Sequence, residues 1–261
     1  MNMIDRTFSD KRTGILSAYF TAGFPALDDT ALIIRTLQDA GADMIEVGIP
    51  FSDPVADGPT IQMSNKQALD NGITLKKILD QIRSVRGETR IPLLLMGYLN
   101  PVYQYGIKRF CDDCRDAGVS GLILPDLPIR EYRETYRAII ESHGLYNIFL
   151  ITPETSEQRI REIDSISHGF IYMVSASSTT GTKKGISDDQ INYFKRIQRM
   201  KLSTPRMVGF GISDRESFES ATKYAHGAII GSAIIRVLMN SRDIKKDLTA
   251  YIHSIKATGK N

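Results

Sequence analysis

The sequence lacks the features that direct a chain to a membrane or to nucleic acid. No stretch approaches about 18 consecutive apolar residues, the length expected of a membrane-spanning helix. The opening Met-Asn-Met-Ile-Asp-Arg contains no apolar signal core, so we expect a cytoplasmic protein. The net charge is only +3, with no long basic run and no interleaving of aromatic and basic residues. This balance favours a small anionic ligand over nucleic acid.

Cysteine is also scarce, since Cys111 and Cys114 are the only two in the chain. Their C-x-x-C spacing has no second pair of ligands elsewhere in the sequence to complete a zinc site. A redox pair usually lies directly after a strand at the start of a helix, whereas the flanking residues here are typical of mid-helix sequence. We therefore interpret both cysteines as structural.

Apolar runs alternate with helical patterns along the chain, in eight strand–helix units after a short extra N-terminal helix. Runs this uniformly apolar are typical of parallel strands buried on both faces. Eight units predict an α/β fold, a single-domain (β/α)8 TIM barrel spanning residues 1–261. A doubly wound open sheet is the alternative, but no G-x-G-x-x-G follows the first strand.

The strands are predicted at 15–23, 44–49, 92–98, 121–125, 147–151, 170–175, 207–211 and 228–230. The helices are predicted at 28–40, 60–71, 74–85, 104–117, 130–143, 156–167, 188–200, 214–224 and 232–255. Residues 98–101, which contain a proline, are predicted to form a turn.

The histidines of this scheme are predicted to lie away from the chemistry. His143, His168 and His226 each precede a glycine at the end of a helix, where a cation complements the helix dipole. In a (β/α) barrel those turns lie on the face opposite the catalytic loops. His253 falls in the terminal helix. We therefore predict neither a histidine base nor a metal site.

The most informative stretch is residues 43–62, an apolar strand with one acid followed by a stiff acidic loop. Glu46 lies among apolar neighbours, where an unpaired carboxylate is costly unless it is neutral. No Lys or Arg falls inside any predicted strand, so a functional acid is favoured over a structural ion pair. Asp53 and Asp57 lie in the loop, where proline restricts the backbone. Their alternative role is turn formation.

Two glycine- and serine-containing segments, 208–213 and 229–233, follow the predicted strands seven and eight. Glycine lets backbone N–H groups approach an anion, and barrels commonly bind phosphate after these two strands. Alternatively the glycines only make tight turns, with Ser213 and Ser232 as N-caps. The occurrence of both segments favours a phosphate site.

Three further polar features leave alternatives open. The loop 176–185 after strand six is either a lid over a ligand or a solvated surface loop. Asp126 follows strand four and is either a site acid or a turn or capping residue. Tyr172 either points into the barrel mouth or packs in the core. Taken together, the residues predict a barrel that binds a phosphorylated ligand and uses carboxylate acid–base catalysis without a metal.

The segment Ile45-Glu-Val-Gly-Ile-Pro-Phe-Ser-Asp-Pro-Val-Ala-Asp-Gly-Pro-Thr-Ile-Gln62 closely resembles the signature of the tryptophan synthase alpha chain family. Segments 18–23, 96–101, 125–128, 209–213 and 231–232 fall in that family's order and spacing. The resemblance implies a lyase of tryptophan biosynthesis that cleaves indole-3-glycerol phosphate to indole and glyceraldehyde 3-phosphate by a retro-aldol reaction. One departure is Phe24, where many relatives have Asp.

The resemblance also implies roles for individual residues. Glu46 matches the catalytic glutamate that moves protons at indole C3 and the side-chain hydroxyl, and Asp57 matches the acid bonded to the indole N–H. The remaining matches are predicted to bind substrate: Tyr172 near the glutamate, Thr180 and Gly181 in the lid, and Phe210, Gly211, Gly231 and Ser232 around the phosphate.

The family further implies a partner. Indole passes through a tunnel to a beta chain that carries pyridoxal phosphate, in an alpha2-beta2 tetramer, and this chain is expected to hold no cofactor itself. Asp53 and residues 100–101 match regions that face the beta chain. Two alternatives stay open: another phosphosugar barrel, such as an isomerase or epimerase, and a non-catalytic subunit that only activates its partner.

Overall fold

The eight strands close into a parallel barrel. The computed structural model describes residues 1–55, 57–175, 187–209 and 211–256. Each strand pairs with the next in sequence, and the first pairs with the last, which confirms the predicted (β/α)8 architecture. The strands are β1 (Ile15–Thr21), β2 (Met44–Gly48), β3 (Leu93–Met96), β4 (Gly121–Ile123), β5 (Tyr146–Ile151), β6 (Ile171–Val174), β7 (Arg206–Gly209) and β8 (Gly227–Ile230).

Helices follow every strand in the described part of the chain, and none there is long and apolar enough to cross a bilayer. They are α1 (Met3–Asp10), α2 (Thr30–Asp39), α3 (Pro59–Asp70), α4 (Leu75–Val85), α5 (Leu99–Tyr105), α6 (Ile107–Ala117), α7 (Ile129–Glu131), α8 (Arg137–Ser142), α9 (Glu157–Ile166), α10 (Asp188–Arg199), α11 (Arg215–Thr222), α12 (Ser232–Asn240) and α13 (Ile244–Lys256).

The predicted turn at 98–101 is wrong, because α5 begins at Leu99. The Asp126 carboxylate accepts the Leu99 N–H at 2.9 Å and so caps this helix from the next βα loop. Pro101 lies in the first turn, where a missing N–H leaves no intrahelical bond unmade. Gly106, at φ +90°, then separates α5 from α6.

Two other predicted helices are interrupted. The helix expected at 130–143 contains a π-helical turn, Tyr132–Tyr136, between α7 and α8. The helix expected at 232–255 is two helices, and the Ser241 hydroxyl between them donates to the Asp247 carboxylate at 2.8 Å. Both interruptions leave the order of the barrel units unchanged.

Alternate strand residues form two buried layers, one inside the barrel and one against the helices. The inner layer consists of apolar side chains from all eight strands or their immediate starts: Ile15, Met44, Leu94, Ile123, Ile148, Phe170, Met207 and Ile229. Their neighbours in sequence, such as Leu16 and Ile45, pack outward. Because side chains alternate along a strand, Glu46 shares the inward face with Met44.

The N-terminal end of the barrel is closed by α1. Ile4 is fully buried in the inner layer, and the Asn2 amide donates to the Ser120 and Gly144 carbonyls at 2.8 and 2.9 Å. At the same end of the barrel, the Asp43 carboxylate forms ion pairs with Lys11 and Lys256, each at 2.8 Å. These contacts close one end, so the open end lies at the carboxyl ends of the strands.

Candidate active site

A cavity of about 500 Å³ opens at the carboxyl ends of the strands. It is lined by side chains of β1, β3, β6 and β8 and by the loops after β2, β7 and β8: Tyr19, Asp57, Gly58, Pro59, Ile61, Met96, Tyr172, Gly211, Ile212, Ser213, Ile229, Gly231, Ser232, Ala233 and Arg236. In barrel enzymes this face carries the active site. No histidine is among these lining residues.

A larger groove of about 690 Å³ lies outside the barrel between α4 and α6, but its charges are already paired. Lys76 bonds to Asp80 at 2.5 Å, and Lys108 bonds to Asp112 at 2.7 Å. These lysines hold the pKa values of the two aspartates below their usual range. Acids stabilised in their charged form are poor candidates for acid–base work at neutral pH, so the cavity is the better candidate site.

Glu46 lies fully buried on the inward face of β2 and is not itself among the residues that line the cavity. Its Oε1 accepts a hydrogen bond from the Ser17 hydroxyl at 2.8 Å, and its Oε2 has no partner among the described residues. Burial raises the pKa of Glu46 to about 8, and the Ser17 bond opposes this shift. The carboxyl group is therefore protonated at neutral pH, as a general acid must be.

The prediction that no Lys or Arg lies inside a barrel strand is wrong for Arg206. β7 begins one residue earlier than predicted, so a cation does lie within a barrel strand. The Arg206 guanidinium donates to the Leu202 and Thr204 carbonyls, each at 3.2 Å, at the start of the strand. It is not among the groups that shift the pKa of Glu46, so the conclusion that Glu46 lacks a strand-borne cation still holds.

Asp57 lines the cavity directly and is half-buried. Burial raises its pKa to about 6, and a 3.3 Å hydrogen bond from the Asn65 amide to Oδ2 opposes the shift. The loop is held in place because Gln62 donates to the Asp57 carbonyl at 2.8 Å. Asn65 is only 3% exposed. Sequence reasoning missed it, although it lies on the helix that begins directly after Asp57.

Two tyrosines of the cavity lining lie close enough to Glu46 to feel its charge. Tyr19 and Tyr172 both line the cavity, and their pKa values are raised by burial and further by the charge of Glu46. Each lies against a glycine of the neighbouring strand. A Cβ at Gly48 would fall 2.3 Å from the Tyr19 hydroxyl, and one at Gly209 would fall 2.2 Å from the Tyr172 hydroxyl. The close packing fixes both rings, and it shows that Tyr172 points into the barrel mouth.

The start of α12 forms a further part of the cavity wall, and Gly231 lies against the Tyr19 ring. Gly231 is the N-cap without a side-chain cap bond, and Ser232 is the first helical residue. The N-cap of α11 is Asp214, so the alternative that Ser213 and Ser232 are N-caps is wrong. First-turn N–H groups lack intrahelical acceptors and attract anions. Gly211, at φ +77°, faces the same space.

Three of the predicted substrate-binding residues lie outside the described residues: Thr180, Gly181 and Phe210. The others, Tyr172, Gly211, Gly231 and Ser232, are brought together around one cavity with Asp57. Glu46 is buried inside the barrel and is not among the lining residues. Two acids with raised pKa values, near a cavity that a helix N-terminus also lines, are typical of (β/α)8-barrel enzymes that bind an anionic ligand and use carboxyl groups for acid–base chemistry.

Comparison with known proteins narrows this class. The family model for the tryptophan synthase alpha chain matches residues 6–260. The tryptophan synthase alpha chains of Flavobacterium psychrophilum and Flavobacterium johnsoniae are 53% and 54% identical, over 91% and 92% of this chain and 94% and 95% of theirs. The crystal structure of the alpha chain from Legionella pneumophila is 34% identical, with a TM-score of 0.88 over 98% of this chain and 97% of that one.

The chain therefore belongs to the tryptophan synthase alpha chain family, a family of lyases, which confirms the resemblance drawn from residues 45–62. The alpha-subunit role follows from this membership. Members of the family work with a beta chain.

Proposed function

We propose that Glu46 and Asp57 carry out the retro-aldol cleavage of indole-3-glycerol phosphate to indole and glyceraldehyde 3-phosphate in this cavity. The observation that carries the proposal is the arrangement of the two acids. Burial raises the pKa of Glu46 to about 8, so it is protonated at neutral pH, whereas Asp57, with a pKa of about 6, is ionised and lines the same cavity as the glycines at the start of α12. Environments that separate two carboxyl pKa values in this way define an acid and a charge stabiliser.

Glu46 supplies the proton that the reaction requires. The bond between indole C3 and the glycerol side chain breaks only after C3 is protonated, and the neighbouring hydroxyl then loses its proton to become the aldehyde. Glu46 gives the first proton and takes the second, so the carboxyl group ends in its starting state. Its side chain must turn from Ser17 toward the cavity to do so, and only one of its oxygens is held by a hydrogen bond.

The Asp57 carboxylate accepts a hydrogen bond from the indole N–H. It also stabilises the positive charge that develops on the ring when C3 is protonated. Its pKa of about 6 leaves it ionised at neutral pH. Asn65 supports this state, since a hydrogen bond to a carboxylate favours the charged form. Gly211, Gly231 and Ser232 hold the phosphate, and we propose that Phe210, Thr180 and Gly181 join them.

The beta chain partner is proposed to bind at the loops after β2 and β3, in an alpha2-beta2 tetramer. Val55 is 90% exposed beside Asp53, and Tyr103 is 66% exposed in the helix that contains Asn100. These two exposed apolar side chains lie in the segments that follow the neighbouring strands β2 and β3, and apolar surface exposed there supports a protein interface. Pyridoxal phosphate is proposed to be held by the beta chain, which takes up the indole to make L-tryptophan. Cytoplasmic location stays a prediction.

We also propose that residues 1–261 form one domain. The contacts that support it join both ends of the chain to the same place, since Lys11 and Lys256 share the Asp43 carboxylate. A domain boundary normally falls where few contacts cross.

Indole release is the direct test of the proposed function. The purified chain is expected to form indole and glyceraldehyde 3-phosphate from indole-3-glycerol phosphate, and more rapidly when a purified beta chain is added. Indole is measured colorimetrically and the aldehyde by a coupled dehydrogenase assay. Absence of both products, with and without the beta chain, would overturn the catalytic proposal and favour the non-catalytic subunit.

The pH profile gives a sharper prediction through Ser17. Activity requires Glu46 protonated, below pH about 8, and Asp57 ionised, above pH about 6, so kcat/KM should have limbs near those values. Ser17→Ala removes the hydrogen bond that lowers the pKa of Glu46, and the alkaline limb should move up by roughly one pH unit. Ser17→Thr keeps a hydroxyl and should leave the limb near its original position. An unmoved limb in Ser17→Ala would contradict the assignment.

A further inference from the structure

We propose that Arg236 binds the phosphate group of the substrate and sets the preference of this site for phosphorylated ligands. The inference rests on the proposed function of the cavity and adds a side-chain cation to the backbone N–H groups at the start of α12. The family resemblance assigned no role to Arg236, and sequence reasoning did not select it.

The position of Arg236 on α12 directs it to the phosphate end. It follows Ser232 by four residues, so the two side chains lie on one face of the helix. Helical side chains point back toward the N-terminus, which carries the guanidinium of Arg236 toward the first turn. Arg236 accordingly lines the cavity together with Gly211, Ser213 and Ser232.

The guanidinium of Arg236 has no ion-pair partner within the described part of the chain. No ion pair and no side-chain hydrogen bond engages its guanidinium among those residues, whereas many exposed arginines of the chain are paired, such as Arg215 with Glu219 at 2.6 Å. Among the described lining residues it is the one cation, and Asp57 is the one acid. Arg236 is not among the groups that shift the pKa of Asp57. An unpaired cation at the anion-binding side of a cavity is suited to a phosphate.

Tyr251 of α13 fixes the surroundings of this cation. Its hydroxyl donates to the Ser213 carbonyl at 2.9 Å, which ties α13 to the loop after β7. The pKa of Tyr251 is raised by burial, is lowered in part by the charge of Arg236, and is raised slightly by Asp214. Asp214, the other charged group facing Tyr251, is the N-cap of α11 and accepts from the Ser217 N–H. Arg236 therefore lies next to the loop after β7, which contains Gly211 and Ser213.

A guanidinium at this position increases the selectivity of the site for phosphate over other anionic or polar groups. Backbone N–H groups donate hydrogen bonds to many anionic or polar groups. A guanidinium fork, by contrast, matches the geometry and charge of a phosphate dianion. The phosphate lies away from the bond that breaks, so its binding energy acts equally on the ground and transition states. Loss of Arg236 should therefore raise KM and leave kcat nearly unchanged.

The test compares Arg236→Gln, Arg236→Lys and a matched control, Arg161→Gln. Arg161 is an exposed arginine of α9 without an ion pair among the described residues. In Arg236→Gln, KM for indole-3-glycerol phosphate should rise about tenfold with kcat within about twofold, and the Kd of glycerol 3-phosphate should rise by the same factor. Arg236→Lys should fall between, and Arg161→Gln should match the original chain.

Titration calorimetry at two salt concentrations completes the test, because loss of the cation should also weaken the salt dependence of glycerol 3-phosphate binding. Unchanged KM and Kd in Arg236→Gln, or a fall in kcat at unchanged Kd, would overturn the inference. Failure of the proposed function looks different. The original chain would then release no indole, while glycerol 3-phosphate binding would still depend on Arg236.

Discussion

Replacement of Glu46 by Gln is expected to lower kcat for indole release about 10³-fold, the scale of a lost general acid–base group. Gln has nearly the same shape and can keep the hydrogen bond from Ser17, but it cannot give or take a proton. Binding of glycerol 3-phosphate at the start of α12 should be unaffected. Steady-state indole assays and calorimetry on the same preparation measure both quantities.

The matched control for this variant is Glu131→Gln, which removes an exposed carboxylate of α7 that is not among the lining residues. It should cleave indole-3-glycerol phosphate at the original rate. Near-normal turnover in Glu46→Gln would show that Glu46 is not the proton shuttle. Loss of glycerol 3-phosphate binding in the same variant would indicate a structural role instead.

The same substitution should also change how stability depends on pH. The folded-state pKa of Glu46 is raised from 4.5 to about 8 because burial disfavours the carboxylate. The stability that its neutral form allows is fully present below pH about 4.5 and is lost as pH rises toward 8. Each pKa unit is worth about 1.4 kcal/mol, so at most roughly 5 kcal/mol is at stake. Glu46→Gln should unfold at higher urea than the original chain at pH 9, with little difference at pH 4.

Replacement of Asp57 by Asn is expected to lower kcat about 10²-fold, because an amide cannot stabilise the positive charge on the ring. The acid limb of the pH profile near pH 6 should disappear with the group that titrates there. Rates measured from pH 5 to pH 9 test both expectations together.

Asp53→Asn is the matched control, since Asp53 lies in the same loop but is exposed and does not line the cavity. It should keep both the rate and the acid limb of the isolated chain. A retained limb near pH 6 in Asp57→Asn would assign that titration to another group and contradict the role of Asp57.

The barrel could be predicted from sequence because its strands are short, mostly apolar and separated by helices in strict alternation. That same uniformity hid which face of each strand points inward, so Tyr19 and Ser17 were not recognised as neighbours of the site. Glu46 stood out only because a charge in such a run is exceptional.

The elements that sequence reasoning mispredicted depend on contacts between distant segments. The start of α5 at Leu99 is capped by the carboxylate of Asp126, which lies in the loop after β4. Asn65 becomes significant only when the loop before α3 folds back and brings Asp57 to its amide. The four-residue spacing of Arg236 from Ser232 is visible in the sequence. Its lack of an acidic partner among the described residues is visible only in the structure.

The contact of Tyr19 with Gly48 and of Tyr172 with Gly209 has a consequence for how relatives of this chain can diverge. At each pair the tyrosine hydroxyl occupies the volume that a methyl group would need on the next strand. A larger residue at either glycine is tolerable only after its tyrosine has become smaller or moved. The order of change is thereby constrained, and each pair should vary together among descendants.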